Sequence, residues 1–374
     1  MKYRDGYRYF EVLLSGNIVY RRRELLSAWF RRRIQGGLSS FSQQLGAGYG
    51  LRMTERAFDP ELLEVLPLLP TVTDFSDPAE IRAMRESIGL FVGETEPRDD
   101  VVREDRTVQG LDGDPDVPIP VYRPASANAG PLGAVLEIHG GGFMVGSIEM
   151  MDPWCDRAAA DFPAVVVSVE YRLAPEDPFP AGIHDCYAAL LWLSENTAEL
   201  GVDPERIAVA GQSAGGGLAA GIALMARDRG GPQLCFQLLE IPELDHRLDT
   251  PSMTQFDDTP LWNRPNAVWS WKHYLGPDHE GPVSPYASPS VADDLSGLPP
   301  AYVSVMEFDP LRDEGLNYAM RLLEAGVSTE IHAYPGTFHG SSMVADAQVS
   351  LNTARDATAA LHKALSTKAQ ATPT

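Results

Sequence analysis

A chain of 374 residues is long enough to bury a full core, and at 44% hydrophobic and 22% charged its composition excludes wholesale disorder. A formal net charge of −22 argues against nucleic acid as a partner. Three cysteines, Cys155, Cys186 and Cys235, give neither a disulfide framework nor a CxxC metal pair, and they suit small apolar roles in a reducing cytoplasm.

Residues 1–52 run against the overall charge, with ten Lys and Arg facing only Asp5, Glu11 and Glu24. The apolar run Phe10–Tyr20 is short and interrupted, and Arg21-Arg22-Arg23 follow it, so neither a signal peptide nor a membrane span is expected. On a helical wheel Ile18, Leu25, Leu26 and Trp29 share a face with Arg22 and Arg33, which makes a poor amphipathic helix. Membrane contact, packing on the main body, pairing with a second copy in a homodimer, and a natural start at Met53 all stay open for this arm.

From Met53 to about 100 the pattern is helical with breaks. Pro60 and Pro78 each stand at a first helical position, and the segment reads as a lid or cap. Val101–Val108 and Val117–Tyr122, separated by Asp112-Gly113-Asp114-Pro115, predict an antiparallel strand pair. Beyond Pro131 strands (134–138, 164–170, 206–210, 234–240, 301–306, 328–334) alternate with helices (153–161, 184–199, 214–228, 313–325 and one within 341–365). That alternation predicts an α/β fold with a mainly parallel sheet covered on both faces. Residues 242–300 hold no strand and cluster Trp262, Trp269, Trp271 and Tyr274, so they read as an insertion at the strand ends. Those aromatics fit either the core or the roof of a pocket.

Chemistry enters at Gly211-Gln212-Ser213-Ala214-Gly215, where a β-prone run gives way at once to a helix-compatible one. G-x-S-x-G at such a bend is the nucleophile-elbow pattern, which holds a serine hydroxyl above the sheet at a helix N-terminus. A rival lies in the same stretch, because Gly215-x-Gly217-x-x-Ala220 with Glu240 fits a dinucleotide-binding fingerprint. His139-Gly140-Gly141-Gly142-Phe143 directly follows a strand. The N–H groups of Gly141, Gly142 and Ala214 are therefore candidates for an oxyanion hole, the alternative being a plain glycine turn. Elbow enzymes order their triad Ser, Asp/Glu, His. His332 falls mid-strand and His362 in the last helix, which leaves His339 in a loop beyond a strand. Asp309, between a strand and Pro310, is the acid candidate; its alternative role is a helix cap, and Asp313 and Glu314 read as first-turn helix carboxylates.

Taken together, HGGGF (139–143), Tyr171-Arg172-Leu173-Ala174-Pro175-Glu176, Gly211–Gly215, Asp309-Pro310-Leu311-Arg312-Asp313-Glu314-Gly315 and Phe338-His339-Gly340 resemble, in that order, the hormone-sensitive-lipase-like family of α/β-hydrolases. Ser284–Pro289 and Leu298–Ala301 are also similar to it, and against this joint match the dinucleotide reading falls away. The resemblance implies an α/β-hydrolase fold of about eight strands in 101–374, a cap from 53–100 plus an insertion at 242–275, and Ser213, Asp309 and His339 as triad. It further implies oxyanion donors on Gly141, Gly142 and Ala214, a structural role for Glu176, no metal or organic cofactor, and hydrolysis of small esters of short-to-medium acyl chain. Two alternatives accompany it, a non-catalytic small-molecule receptor and a lactone hydrolase. Gln212 departs from the Asp or Thr common before the serine.

Overall fold

The computed structural model describes residues 56–69, 74–92, 98–126, 130–162 and 164–366. The chain divides into Met1–Ala57 and Phe58–Thr374. The expected N-terminal arm and its helical face therefore lie outside the described residues.

The second unit is built on one sheet. β1 (Val101–Val108) and β2 (Val117–Pro124) pair antiparallel, and β2 pairs antiparallel with β4 (Ala164–Ser168). β3 (Leu132–Ile138), β5 (Val202–Gln212), β6 (Phe236–Glu240), β7 (Ala301–Phe308) and β8 (Thr329–Phe338) continue it in parallel, giving the order β1-β2-β4-β3-β5-β6-β7-β8. The α/β-hydrolase expectation of about eight strands, mainly parallel, is met.

Strand periodicity explains how both faces are covered. Ala134, Leu136 and Ile138 join one core with α4 (Ala181–Glu195), α6 (Ala214–Arg229) and α9 (Arg312–Glu324), whereas Val135 joins another beneath α10 (Gln348–Ser366). α3 (Asp152–Asp161) covers β4 and β2 through Cys155, Ala158 and Ala159. α6 is buried from Ala214 to Ala226, which is why its sequence is apolar all round.

Several boundaries differ from the periodicity. The helix expected over 184–199 begins at Ala181 and breaks at Asn196 before a short α5 (Thr197–Leu200). β8 runs on to Phe338 through Pro335 and Gly336, which the sequence marks as a stop. At the edge of the sheet a missing N–H is tolerated, and a register irregularity between Met306 and Phe308 absorbs the distortion.

Before β1, α1 (Pro60–Leu63) sets Leu62 with Phe58 against Tyr334 and Phe338, while α2 (Pro78–Val92) brings Phe75 and Ile81 to Met144, Val145 and Trp262. The stretch 242–300 contains no strand; it carries α7 (Pro251–Gln255) and α8 (Arg264–Leu275), the latter capped by the Asn263 side chain.

Because the second unit has its own sheet and cores, a chain beginning at Met53 is expected to unfold in one cooperative transition. Its midpoint in calorimetry should lie within about 2 °C of the full chain, on the order of 1 kcal/mol. Loss of cooperativity, or a much larger drop, would make 1–52 part of the core.

Candidate active site

Between β5 and α6 the chain turns at Ser213, whose backbone (φ 56°, ψ −122°) lies where a non-glycine residue is strained. Two bonds, one to the last residue of β6 and one to the segment after it, hold it there. The Ser213 N–H donates to the Glu240 carbonyl at 2.9 Å, and the Glu243 N–H donates to the Ser213 carbonyl at 3.0 Å. The bend is so tight that a Cβ on Gly211 would stand 2.2 Å from the Gly215 carbonyl oxygen.

His339 follows β8 immediately. Its Nε2 is 2.9 Å from Ser213 Oγ and its Nδ1 is 2.7 Å from Asp309 Oδ2. Ser213, His339 and Asp309 are 7%, 7% and 1% exposed, so the relay is buried, most deeply at the carboxylate. Asp309 Oδ1 also accepts the Leu311 N–H at 2.9 Å, but its alternative reading as a helix cap is not met, because α9 begins at Arg312 with Leu311 at the N-cap and no side-chain capping bond. One carboxylate thus shapes the turn into α9 and orients the imidazole.

The HGGG loop and the elbow follow the neighbouring strands β3 and β5, where the strand order reverses direction and opens a crevice at their carboxyl ends. A Cβ on Gly140 would be 2.8 Å from the Gln212 carbonyl oxygen, so the HGGG loop lies directly against the elbow. Gly141 (φ 128°) and Gly142 (φ 58°) take backbone conformations that other residues rarely adopt. Ala214 opens α6, where an N–H has no acceptor within its own helix and the dipole favours negative charge. His139 is buried and stacked on Tyr171 at 4.2 Å, with Nδ1 2.8 Å from the Gly140 carbonyl oxygen. Burial lowers its pKa to about 4, so it is neutral and braces the loop.

The aromatic cluster of the insertion divides between both expected uses. Trp271 and Tyr274 pack on Phe143 in the core, the Tyr274 and Phe143 rings 3.9 Å apart. Trp262 instead roofs the site, its ring centroid 5.9 Å from that of His339 and its edge 2.4 Å from where a Gly142 Cβ would stand.

Other singled-out residues stand apart from the relay. Gln212 Nε2 donates to Glu240 Oε2 at 3.2 Å, tying β5 to β6, and burial raises the Glu240 pKa. Glu176 pairs with Arg85 at 2.8 Å at the protein surface. Asp313, in the first turn of α9, pairs with Arg312 and accepts the Ser252 N–H. Glu314 departs from the simple first-turn reading: it is buried, accepts the Leu244 N–H at 2.6 Å, and burial pushes its pKa well up. A cavity of about 410 Å³ lined by Arg85, Glu170, Arg172 and Asp185 includes no member of the relay and does not describe the reacting centre.

Two residues escaped the sequence reading. Ser270 on α8 donates to the Gly142 carbonyl at 3.0 Å, and Glu243 is fully buried behind the elbow. The only local signal was a lone acidic residue in the apolar run Ile241-Pro242-Glu243-Leu244.

Residues 135–343 match the family described as alpha/beta hydrolase fold. Over 287 residues the chain is 43% identical to a carboxylesterase, NlhH, of Mycobacterium tuberculosis, covering 75% of this chain and 88% of that protein. It is 34% identical over 296 residues to an arylesterase of Saccharolobus solfataricus, covering 76% and 95%. Among solved structures, a bacterial heroin esterase superposes with a TM-score of 0.79 at 53% identity, covering 83% of this chain and 98% of that one.

The contact between Gly142 and Trp262 can be tested by a double-mutant cycle. Gly142→Ala is expected to slow labelling of Ser213 by a fluorophosphonate about 100-fold, the scale of losing one oxyanion donor. Adding Trp262→Ala should recover part of that loss by removing the colliding ring, but not all, since φ at 142 stays positive. Full additivity of the two changes would show that the ring does not constrain the loop.

Proposed function

The chain belongs to the hormone-sensitive-lipase-like carboxylesterases of the α/β-hydrolase family, and on that premise we propose that Ser213, His339 and Asp309 carry out its ester hydrolysis. The observation that carries this reading is the unbroken relay of 2.9 and 2.7 Å ending on a serine at a strained elbow.

His339 Nε2 takes the Ser213 proton as Oγ attacks the ester carbonyl carbon, and Asp309 stabilises the imidazolium while fixing its tautomer. The tetrahedral oxyanion accepts N–H bonds from Gly141, Gly142 and Ala214. Collapse breaks the bond to the alcohol oxygen, which leaves with the proton from His339. Water, deprotonated by the same imidazole, then attacks the acyl-serine; the acid departs and the hydroxyl is restored.

Residues 53–100 together with 242–275 act in this scheme as the cap. Phe75, Ile81, Met253 and Trp262 form one apolar cluster with Met144, Val145 and Leu311, which joins the two cap segments; the resemblance to the family supports small esters of short-to-medium acyl chain as substrates. A cytoplasmic place is supported by the three free cysteines. No helix among the described residues is long and apolar enough to cross a membrane. A receptor role would call for loss of a relay member, whereas all three are present and aligned.

With a p-nitrophenyl ester, burst kinetics are expected, and Ser213→Ala should abolish both burst and turnover. Asp309→Asn should lower kcat about 10⁴-fold, as expected when the carboxylate orienting a catalytic histidine is lost. Asp313→Asn should stay within about threefold, because its contacts with Arg312 and Ser252 lie outside the relay. The reverse ranking would give the acid role to Asp313. Tight binding of esters without turnover would favour a receptor, and lactones in the same panel would test that substrate class.

A further inference from the structure

Glu243 lies three residues beyond β6, under the HGGG loop and the elbow. It is fully buried, and among the described residues neither carboxyl oxygen makes an aligned hydrogen bond. An ionised carboxylate there would be uncompensated. Burial is the main reason its pKa rises to about 8, with the negative charge of Asp309 pushing the same way.

The only hydroxyl that eases its ionisation belongs to Ser270, which is also fully buried. That hydroxyl has one proton, and its aligned bond donates it to the Gly142 carbonyl at 3.0 Å. Toward Glu243 the serine oxygen is then left as an acceptor, and the partner that suits an acceptor is a protonated carboxyl. An ionised Glu243 would instead compete for the hydroxyl proton and draw it off Gly142. The titratable groups facing Glu243 are Asp309 beyond β7, Tyr274 on α8 and Glu314 on α9, while Gly217 of α6 packs against the Glu243 backbone carbonyl. None of these is a cation that could neutralise an ionised form.

We propose that Glu243 and Ser270 are a positioning pair: the carboxylic acid holds the serine hydroxyl on the Gly142 carbonyl, and so aims the oxyanion loop from the insertion. The assignment rests on the ester-hydrolase reading above, and neither residue touches the reacting atoms. The pair works while Glu243 is protonated and fails as pH climbs through about 8.

The test is the pH dependence of kcat and KM for p-nitrophenyl acetate, with a thermal unfolding series beside it. Wild type should lose kcat above about pH 8 with little change in KM. Glu243→Ala should lower kcat about tenfold at neutral pH, less than the loss of a whole oxyanion donor. Glu243→Gln, which keeps a donor at every pH, should recover that turnover and lack the alkaline fall. Ser270→Ala should lower kcat by a similar factor, and adding Glu243→Gln to it should change nothing further.

For stability, the folded pKa of about 8 lies above the ordinary 4.5, so the native state binds the extra proton between these values. The acid's contribution is complete below about 4.5 and is lost as pH rises through about 8. The Tm of Glu243→Gln relative to wild type should therefore increase from pH 5 to pH 9. An alkaline fall retained in Glu243→Gln, or wild-type kcat in Ser270→Ala, would overturn the pair, as would Tm curves that run parallel. A wild type without turnover would instead overturn the hydrolase reading, and the Tm series would still report on Glu243.

Discussion

The site depends on a strained backbone held in place. Ser213 at φ 56° sits in a region that costs a non-glycine residue of order 1–3 kcal/mol. The conformation persists because its N–H and C=O are bonded to the last residue of β6 and to the segment after it, and its side-chain oxygen meets His339. Relaxing this bend would move the hydroxyl off the imidazole and away from the N-terminus of α6. A sheet whose strand order reverses at β3 and β5 supplies the crevice; the strained turn puts the Ser213 hydroxyl into it.

Around that turn, segments far apart in sequence share the work of shaping one loop. From above, Trp262 occupies the space beside Gly142, and Ser270 holds the Gly142 carbonyl. From the side, Arg85 on α2 donates to the carbonyls of Met144 and Ala174, and His273 Nε2 lies 2.8 Å from the Phe75 carbonyl oxygen, joining α8 to the segment before α2. His139 braces the loop from within as a neutral ring. The stretch 242–300 both sets Trp262 beside His339 and bonds the HGGG loop through Ser270. Changes made there should be read in kcat as well as in substrate preference.

Much of this was legible in the chain, for identifiable reasons. β3 and the elbow show because apolar strands ending in glycine clusters are local signals, and His339 shows because chain order and strand placement eliminate its rivals. The strand expected over 328–334 ends short of Phe338 because Pro335-Gly336 reads as a stop, and only the sheet order reveals that this strand is an edge. The burial of Glu314 depends on Leu244 and Asp245, about seventy positions away, and the Ser270–Gly142 bond spans 128. No periodicity reports such pairs. The split of the aromatics was likewise invisible: Trp262 and Trp271 sit in the same short insertion, yet one faces the imidazole and the other Phe143.

The most direct test of the central claim is to catch the covalent intermediate. Acid-quenching the enzyme during turnover of a slowly deacylated ester, followed by peptide mass spectrometry, should find the acyl group on the peptide containing Ser213, on that residue and at near-stoichiometric yield. Turnover with the acyl group on a different side chain, or with no acyl-protein at any quench time, would contradict the account.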